Sequence, residues 1–275
     1  MLKLANPRRF IRLRALSHHV TWFLGKRYTS AIPLVFVIGY PKSGTTWICQ
    51  LAADYLQLPF PRYSILPIGC PAVVHGHERV SSQYPRGIYV IRDGRDALTS
   101  LYFYLARQLP EGDHPQLSRL HKRLFPGIIN RDDVATNIGP FVERQMTDPH
   151  AAKVNWGDHV RSAFEVKNHK MVIVTYEAMR NDAEQAFSAA MQELTSEETD
   201  IDRARATLEK FSFAKQAGRK AGTEDRTSFL RKGTAGDWQN HFTRHATEVF
   251  DRYCGESLIM AGYEPDRTWV TRINR

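Results

Sequence analysis

The first 53 positions hold no acidic residue; the earliest is Asp54, in a chain of 275 residues with 38 Lys and Arg, 29 Asp and Glu and a formal charge of +9. That balance suits an anionic ligand, and its concentration at one end says more than its sum. Cysteine is also scarce. Cys49, Cys70 and Cys254 are odd in number and far apart, with neither a CxxC pair nor histidines at metal-ligand spacing. A disulfide framework and a structural metal are therefore not expected, and a reduced, cytoplasmic setting is. No apolar run is long and uninterrupted enough to span a bilayer. No Pro/Gly/Ser-rich linker, internal repeat or low-complexity tract divides the chain, which at 42% hydrophobic content is long enough for one sizeable core.

The acid-free N-terminus interleaves Lys3, Arg8, Arg9, Arg12, Arg14, Lys26 and Arg27 with Leu2, Leu4, Phe10, Ile11, Leu13, Leu16, Val20, Trp22, Phe23 and Leu24. This reads as a basic amphipathic helix in an extension over residues 1–32, ahead of a domain over 33–275. His18 and His19 interrupt the apolar positions and no small-residue cleavage site follows, so a signal peptide is not expected. Two uses remain: a solvated basic face on a helix packed against the domain, or peripheral contact with anionic lipid at the inner membrane surface. No nucleic-acid motif accompanies the charge.

Strand-like runs at Leu34–Gly39, Ala72–His75, Ile88–Arg92 and Met171–Tyr176 alternate with helical patterns. The class expected is α/β, a P-loop-type parallel sheet with helices on both faces in a single domain, binding ligands at the carboxyl ends of the strands. Lys42, His77 and Arg92 then share one rim. Within Val35–Trp47 a buried-strand pattern ends in a loop of small residues, hydroxyls and one cation. Gly39 and Gly44 have the spacing of a phosphate loop, but Thr45 stands where a nucleotide triphosphatase carries lysine, and the lysine is at Lys42. Apolar residues at helical spacing follow from Trp47 to Leu56, so backbone N–H groups converge on an anion, expected to be a phosphate. The alternative is a plain Gly/Ser/Thr turn with Lys42 solvated.

The segment Pro41–Trp47 (PKSGTTW) resembles the 5′-phosphosulfate loop of the cytosolic-type sulfotransferases, which use 3′-phosphoadenosine 5′-phosphosulfate (PAPS) as donor. Tyr89–Ser100 is similar to that family's 3′-phosphate motif, its arginine and serine falling on Arg92 and Ser100. Phe229–Thr243 resembles its RKGxxGDWKNxFT signature. The resemblance implies that Ser43, Gly44, Thr45 and Thr46 hold the 5′-phosphate and that Arg92 and Ser100, with Arg231, Lys232 and Gly233, hold the 3′-phosphate. Trp47, Tyr176, Ser212 and Phe213 would border the adenine, with Phe211 in place of a family threonine. PAPS would be the cosubstrate and 3′-phosphoadenosine 5′-phosphate (PAP) the product. The segment at about 218–236 is expected to close over the nucleotide, with Asp237–Trp238 anchoring it, and the stretch at about 109–134 to be an insertion beside the acceptor site.

Sulfuryl transfer needs an in-line nucleophile, stabilisation of the moving charge and a stabilised leaving oxygen. Lys42 can reach the bridging oxygen. The family's Lys-Thr-His segment aligns with His75-Gly76-His77, which makes His77 the general base and puts His75 where the lysine stands. Either His75 substitutes when protonated, or Lys42 and Lys232 carry the charge. No Mg²⁺ carboxylate is evident after the second strand, so metal independence is expected, against the alternatives of a P-loop kinase or NTPase and a non-catalytic nucleotide-binding scaffold. Tyr63, Tyr84, Phe103, Tyr104, Phe141 and Trp156 either line an acceptor pocket or belong to the core. The acceptor expected is a small or lipid-like alcohol or phenol, or an amine. The family's dimer motif is degraded, with Gln239 for lysine and Arg244 for valine while Thr243 and Glu248 remain, so the oligomeric state stays open.

Overall fold

The computed structural model describes residues 7–62, 64–108, 125, 130, 132–150, 152–166 and 171–272. Four parallel strands, β1 (Leu34–Gly39), β2 (Ala72–Gly76), β3 (Gly87–Ile91) and β4 (Met171–Thr175), form a sheet in the order β2-β1-β3-β4. The chain passes from β1 out to β2 and returns to β3 on the far side of β1. That reversal opens the crevice at the strand ends where α/β sheets hold ligands.

Alternation along the strands feeds two cores. Phe36, Ile38, Val74, Tyr89 and Ile91 bury on one face with Trp156 and Phe250, while Val37, Val73, Ile88, Val90, Val172 and Val174 bury on the other. A parallel sheet covered on both faces requires such continuous apolar strands. The second face is covered by α2 (Thr45–Leu56), α7 (Ala183–Thr195) and α8 (Ile201–Lys210). The first is covered by α3 (Gly94–Gln108), α4 (Val134–Thr147), α5 (Trp156–Glu165) and α10 (Arg244–Met260). Short helices α6 (Tyr176–Asn181) and α9 (Phe213–Ala217) sit near the rim.

Four strand ends differ from the sequence reading: β2 runs one residue further, to Gly76, β3 begins one earlier, at Gly87, and β3 and β4 each stop one short. Arg92 falls just beyond β3, and Tyr176 opens α6 because the Thr175 hydroxyl accepts from the Ala178 N–H at 3.1 Å and caps a helix there. Most of the expected insertion lies outside the described residues. Phe125 is buried and stacks on Phe141 at 5.4 Å, and Asp133 caps α4 by accepting from the Thr136 N–H.

The basic N-terminal segment forms α1 (Pro7–Arg27), and its inner face docks on the domain. Trp22 packs edge-on against Phe36 at 4.9 Å and donates to the Tyr84 hydroxyl at 3.1 Å. The Thr21 hydroxyl accepts from the Ile68 N–H at 2.9 Å, and His18 Nε2 meets Glu78 Oε1 at 2.5 Å.

Candidate active site

After β1 the chain turns through Tyr40–Gly44 into α2. Gly44 caps α2 at φ +89°, and a Cβ there would stand 2.8 Å from the Tyr176 ring, so only glycine permits both the turn and the close approach. Lys42 is also left-handed, at φ +69°. The loop, the end of β3 and the segment 218–236 wall a cavity of about 700 Å³.

Lys42, Gly44, Thr45, Thr46 and Trp47 line this cavity from the loop side. His75, His77, Arg92, Ser100 and Tyr176 line it from the strand ends and helices, and Phe213, Arg231, Lys232 and Gly233 from the far wall. Ser43 is fully buried in the loop between two lining residues. Ser212 is placed differently: its hydroxyl caps α9 by accepting from the Lys215 N–H, and its neighbours Phe211 and Phe213 reach the cavity. Among the described residues, no lining residue is acidic.

The groups expected at the phosphate sites fall into two states. Ser43 Oγ, Thr45 Oγ1, Arg92 Nε and Arg231 Nε are buried with no hydrogen-bond partner among the described residues. The terminal nitrogens of the arginines are engaged. Arg92 donates to the Lys42 carbonyl at 3.1 Å and the Thr234 carbonyl at 2.9 Å, lies 3.6 Å from Asp96, and covers the Tyr176 ring at 4.4 Å. Arg231 pairs with Glu224 and with Asp237, the latter at 2.5 Å, and Lys232 reaches Asp237 at 2.5 Å. Burial raises the Asp237 pKa, but hydrogen bonds from His241, Lys232 and Arg231 hold it well below the usual carboxylate range. The backbone N–H groups of Gly236 and Trp238 bond Asp96, so the 218–236 segment is fixed at its end by α3.

Trp47 does not stack on Tyr176. The rings meet edge-on at 6.3 Å, and the indole N–H donates to the Phe211 carbonyl at 3.0 Å, which leaves the indole plane at the cavity wall.

Just after β2, His77 Nδ1 lies 2.6 Å from the Gly39 carbonyl oxygen. A carbonyl only accepts, so Nδ1 carries the proton and Nε2 is the free base. Burial lowers the His77 pKa, opposed by the Gly39 bond and Glu78. Both backbone polar groups of His77 are also held. Its N–H donates to Glu78 Oε2 at 3.0 Å, and its carbonyl accepts from His159 Nε2 at 3.1 Å, while Tyr89 holds His159 Nδ1 at 2.9 Å. His75 meets His77 edge-on at 4.5 Å, and burial, then the charges of His77 and Arg62, pull it down to about 3. Burial thus disfavours the charged form that standing in for the missing lysine would need. Arg62 lines the cavity instead. Lys42 stands 4.0 Å from the Phe229 ring centre and 4.5 Å from that of Tyr104. Burial, then Arg92, Arg107, Arg231 and Arg62, lowers it to about 7.

Of the aromatics proposed for the acceptor pocket, Tyr104 lines the cavity, and Tyr63 lies outside the described residues. Tyr84, Phe141 and Trp156 belong to the core, and Phe103 is buried against the Arg231 guanidinium at 4.4 Å. Leu101, Leu105 and Phe229 take the lining positions instead. Sequence reasoning missed His159, Glu78, Arg62 and Phe229. Phe229 alone had a signal, as the first residue of the C-terminal motif. Among the described residues no group of three or more His, Cys, Asp or Glu is placed to hold a metal.

Comparison with known proteins follows the same lines. The family model described as Sulfotransferase domain matches residues 72–262, starting after the phosphate loop. An amine sulfotransferase from Oryctolagus cuniculus is 26% identical over 266 residues, 82% of this chain and 80% of its own. A 3-alpha-hydroxysteroid sulfotransferase from Cavia porcellus is 26% identical over 270 residues, 83% of this chain and 84% of its own. The crystal structure of mouse sulfotransferase SULT7A1 complexed with PAP aligns at a TM-score of 0.60 with 21% identity, over 88% of this chain and 89% of that one, a likeness of fold.

Proposed function

The chain belongs to the sulfotransferase domain family and is an enzyme of the sulfotransferase type, and from that premise we propose that it moves a sulfuryl group from PAPS to a hydroxyl or amine of a small or lipid-like acceptor in the cytoplasm. One observation carries the donor: among the described residues four buried polar atoms have no partner, on Thr45, Arg92 and Arg231 in the cavity walls and on Ser43 between two lining residues, and the lining includes cations and no carboxylate. A buried donor left unpaired costs about 1–3 kcal/mol. Four of them at one cavity suit a ligand rich in anionic oxygen.

Ser43, Gly44, Thr45 and Thr46 present hydroxyls and the first N–H groups of α2 to the 5′-phosphate. Arg92 and Ser100, with Arg231, Lys232 and Gly233, take the 3′-phosphate, for which guanidinium forks suit two oxygens at once. Trp47, Tyr176 and Phe213 border the adenine, and Ser212 supports them by capping α9. His77 Nε2 accepts the acceptor's proton as the acceptor oxygen or nitrogen bonds sulfur. Lys42 donates to the bridging oxygen, which keeps the electron pair of the breaking S–O bond and departs with the 5′-phosphate of PAP. Lys42 thereby takes the place that a metal ion holds in phosphoryl transfer, and metal independence belongs to the same proposal.

Leu101, Tyr104, Leu105 and Phe229 give the acceptor side an apolar lining, which suits a lipophilic body. The relatives named above are an amine and a hydroxysteroid sulfotransferase. The cations Lys42, Arg62 and Arg92 repel an ammonium group, which places an alcohol or phenol ahead of an amine here.

Calorimetric titration with PAP, beside ATP with and without Mg²⁺, tests this reading. Tight binding of PAP that survives EDTA, with weak ATP binding, is expected. Preference for Mg²⁺–ATP overturns it.

A further inference from the structure

We propose that the outer face of α1, together with the loop around Leu66, is a docking surface for an anionic lipid membrane that holds the protein peripherally. The inner face of α1 is committed to the domain through Ser17, Thr21 and Trp22, all buried. Its outer face is apolar and open: Leu13 is 51%, Leu16 59% and Phe23 62% exposed. At 3.6 residues per turn, Leu13, Leu16, Val20 and Phe23 fall within an arc of about 80°. Among the described residues twelve large hydrophobics are well exposed, and they include those three, Tyr28 just after α1, and Ile65 and Leu66. Ile65 and Leu66 belong to the loop tied to α1 through the Ile68–Thr21 hydrogen bond.

Charge decides the occupant. Arg12 and Arg27 are exposed in or beside the same arc, and neither α1 nor any position before Asp54 carries an acidic residue. A second copy of the chain would bring two such basic faces together. Anionic lipid instead accepts the leucine and phenylalanine side chains into its interface and pairs the arginines with headgroups. Among the described residues no helix is long and apolar enough to cross a membrane, so the contact is lateral.

The test uses the full chain in cosedimentation with vesicles of phosphatidylcholine alone or mixed with phosphatidylglycerol. Wild type is expected to bind only the mixed vesicles and to release as salt rises. The Leu16→Ser/Phe23→Ser and Arg12→Glu/Arg27→Glu double variants should each lose at least about tenfold in binding. Both change exposed side chains, so their melting temperatures and PAP affinities should match wild type. PAP binding reads the donor site alone, which keeps this proposal separate from the reaction assigned above. The proposal falls if wild type ignores mixed vesicles at low salt. Equal binding by Leu16→Ser/Phe23→Ser, which would make net charge the sole cause, also sinks it. So does a dimer in sedimentation that the same substitutions dissolve, since a second copy would then cover the stripe.

Discussion

The two walls of the cavity are built in opposite ways. The loop wall is rigid and waiting: Lys42 and Gly44 are fixed at positive φ, the Ser43 N–H bonds the Tyr40 carbonyl, and Ile48, Cys49 and Leu51 anchor the following helix in the core. Its hydroxyls on Ser43 and Thr45 are unpaired. The wall over 218–236 is irregular, held by hydrogen bonds such as Gly222 N–H to the Lys232 carbonyl, and its cations already have carboxylate partners in Asp237 and Glu224. Loop groups can meet an anion without rearranging. Lid cations must share or exchange partners first, which subtracts from affinity. Chemistry should therefore depend on the loop side, and affinity and release on the lid side.

Replacing the proposed base should make the largest break. His77→Gln should lower kcat by about 10²–10⁴ while PAP affinity stays near wild type. An equal loss in both would place His77 in the donor site rather than at the acceptor. Lys42→Met should lower kcat by about 10²–10³ and also remove a proton linkage. In the ligand-free protein burial, then the surrounding guanidinium groups, hold Lys42 at about 7. Below that pH Lys42 is protonated with or without ligand. Above it, phosphate oxygens restore the proton, so PAP binding takes up a proton and affinity falls as pH rises from about 7 toward the ordinary lysine range. Calorimetry in buffers of different ionisation enthalpy reads the uptake, which Lys42→Met should reduce. No buffer dependence in wild type above pH 7 would mean that Lys42 keeps its charge in the empty site.

On the lid side, Arg231→Gln should weaken PAP binding about 10- to 100-fold, a charged hydrogen bond being worth roughly 1.5–3 kcal/mol, with kcat nearly unchanged. A drop confined to kcat would remove the contrast between the walls.

The sheet was legible because Val35–Ile38, Val73–Val74, Ile88–Ile91 and Met171–Val174 are short apolar runs that suit a sheet covered on both faces, although Ile173 on β4 stays exposed. The loop was legible because glycines, hydroxyls and a cation sit close together in sequence. The supports of His77 were not. Tyr89 and His159 lie 70 residues apart, His159 is one histidine in an ordinary helix, and Glu78 gains meaning only when α1 brings His18 to it. The choice between pocket and core for the aromatics was open for a related reason: composition gives no direction to a ring, so Tyr84 and Trp156 turned to hydrogen bonds within the core while Phe229, on an irregular segment, turned to Lys42. His75 stands where the family has a cation, and only the structure shows the burial that disfavours its charged form.

The smallest effect separates the walls most sharply because its sign is opposite. Glu224 pairs with Arg231 at a partly open site, its side chain 30% exposed, where such a pair is worth about 0–1 kcal/mol. Glu224→Gln keeps a hydrogen-bond acceptor for the guanidinium and removes the competing charge, while Asp237 still holds Arg231 in place. If the lid cations are shared between carboxylates and phosphate, PAP affinity should rise about 2- to 5-fold with little change in melting temperature. If the pair serves only to fold the lid, affinity and melting temperature should fall together, and the exchange of partners assigned to this wall would have to be given up.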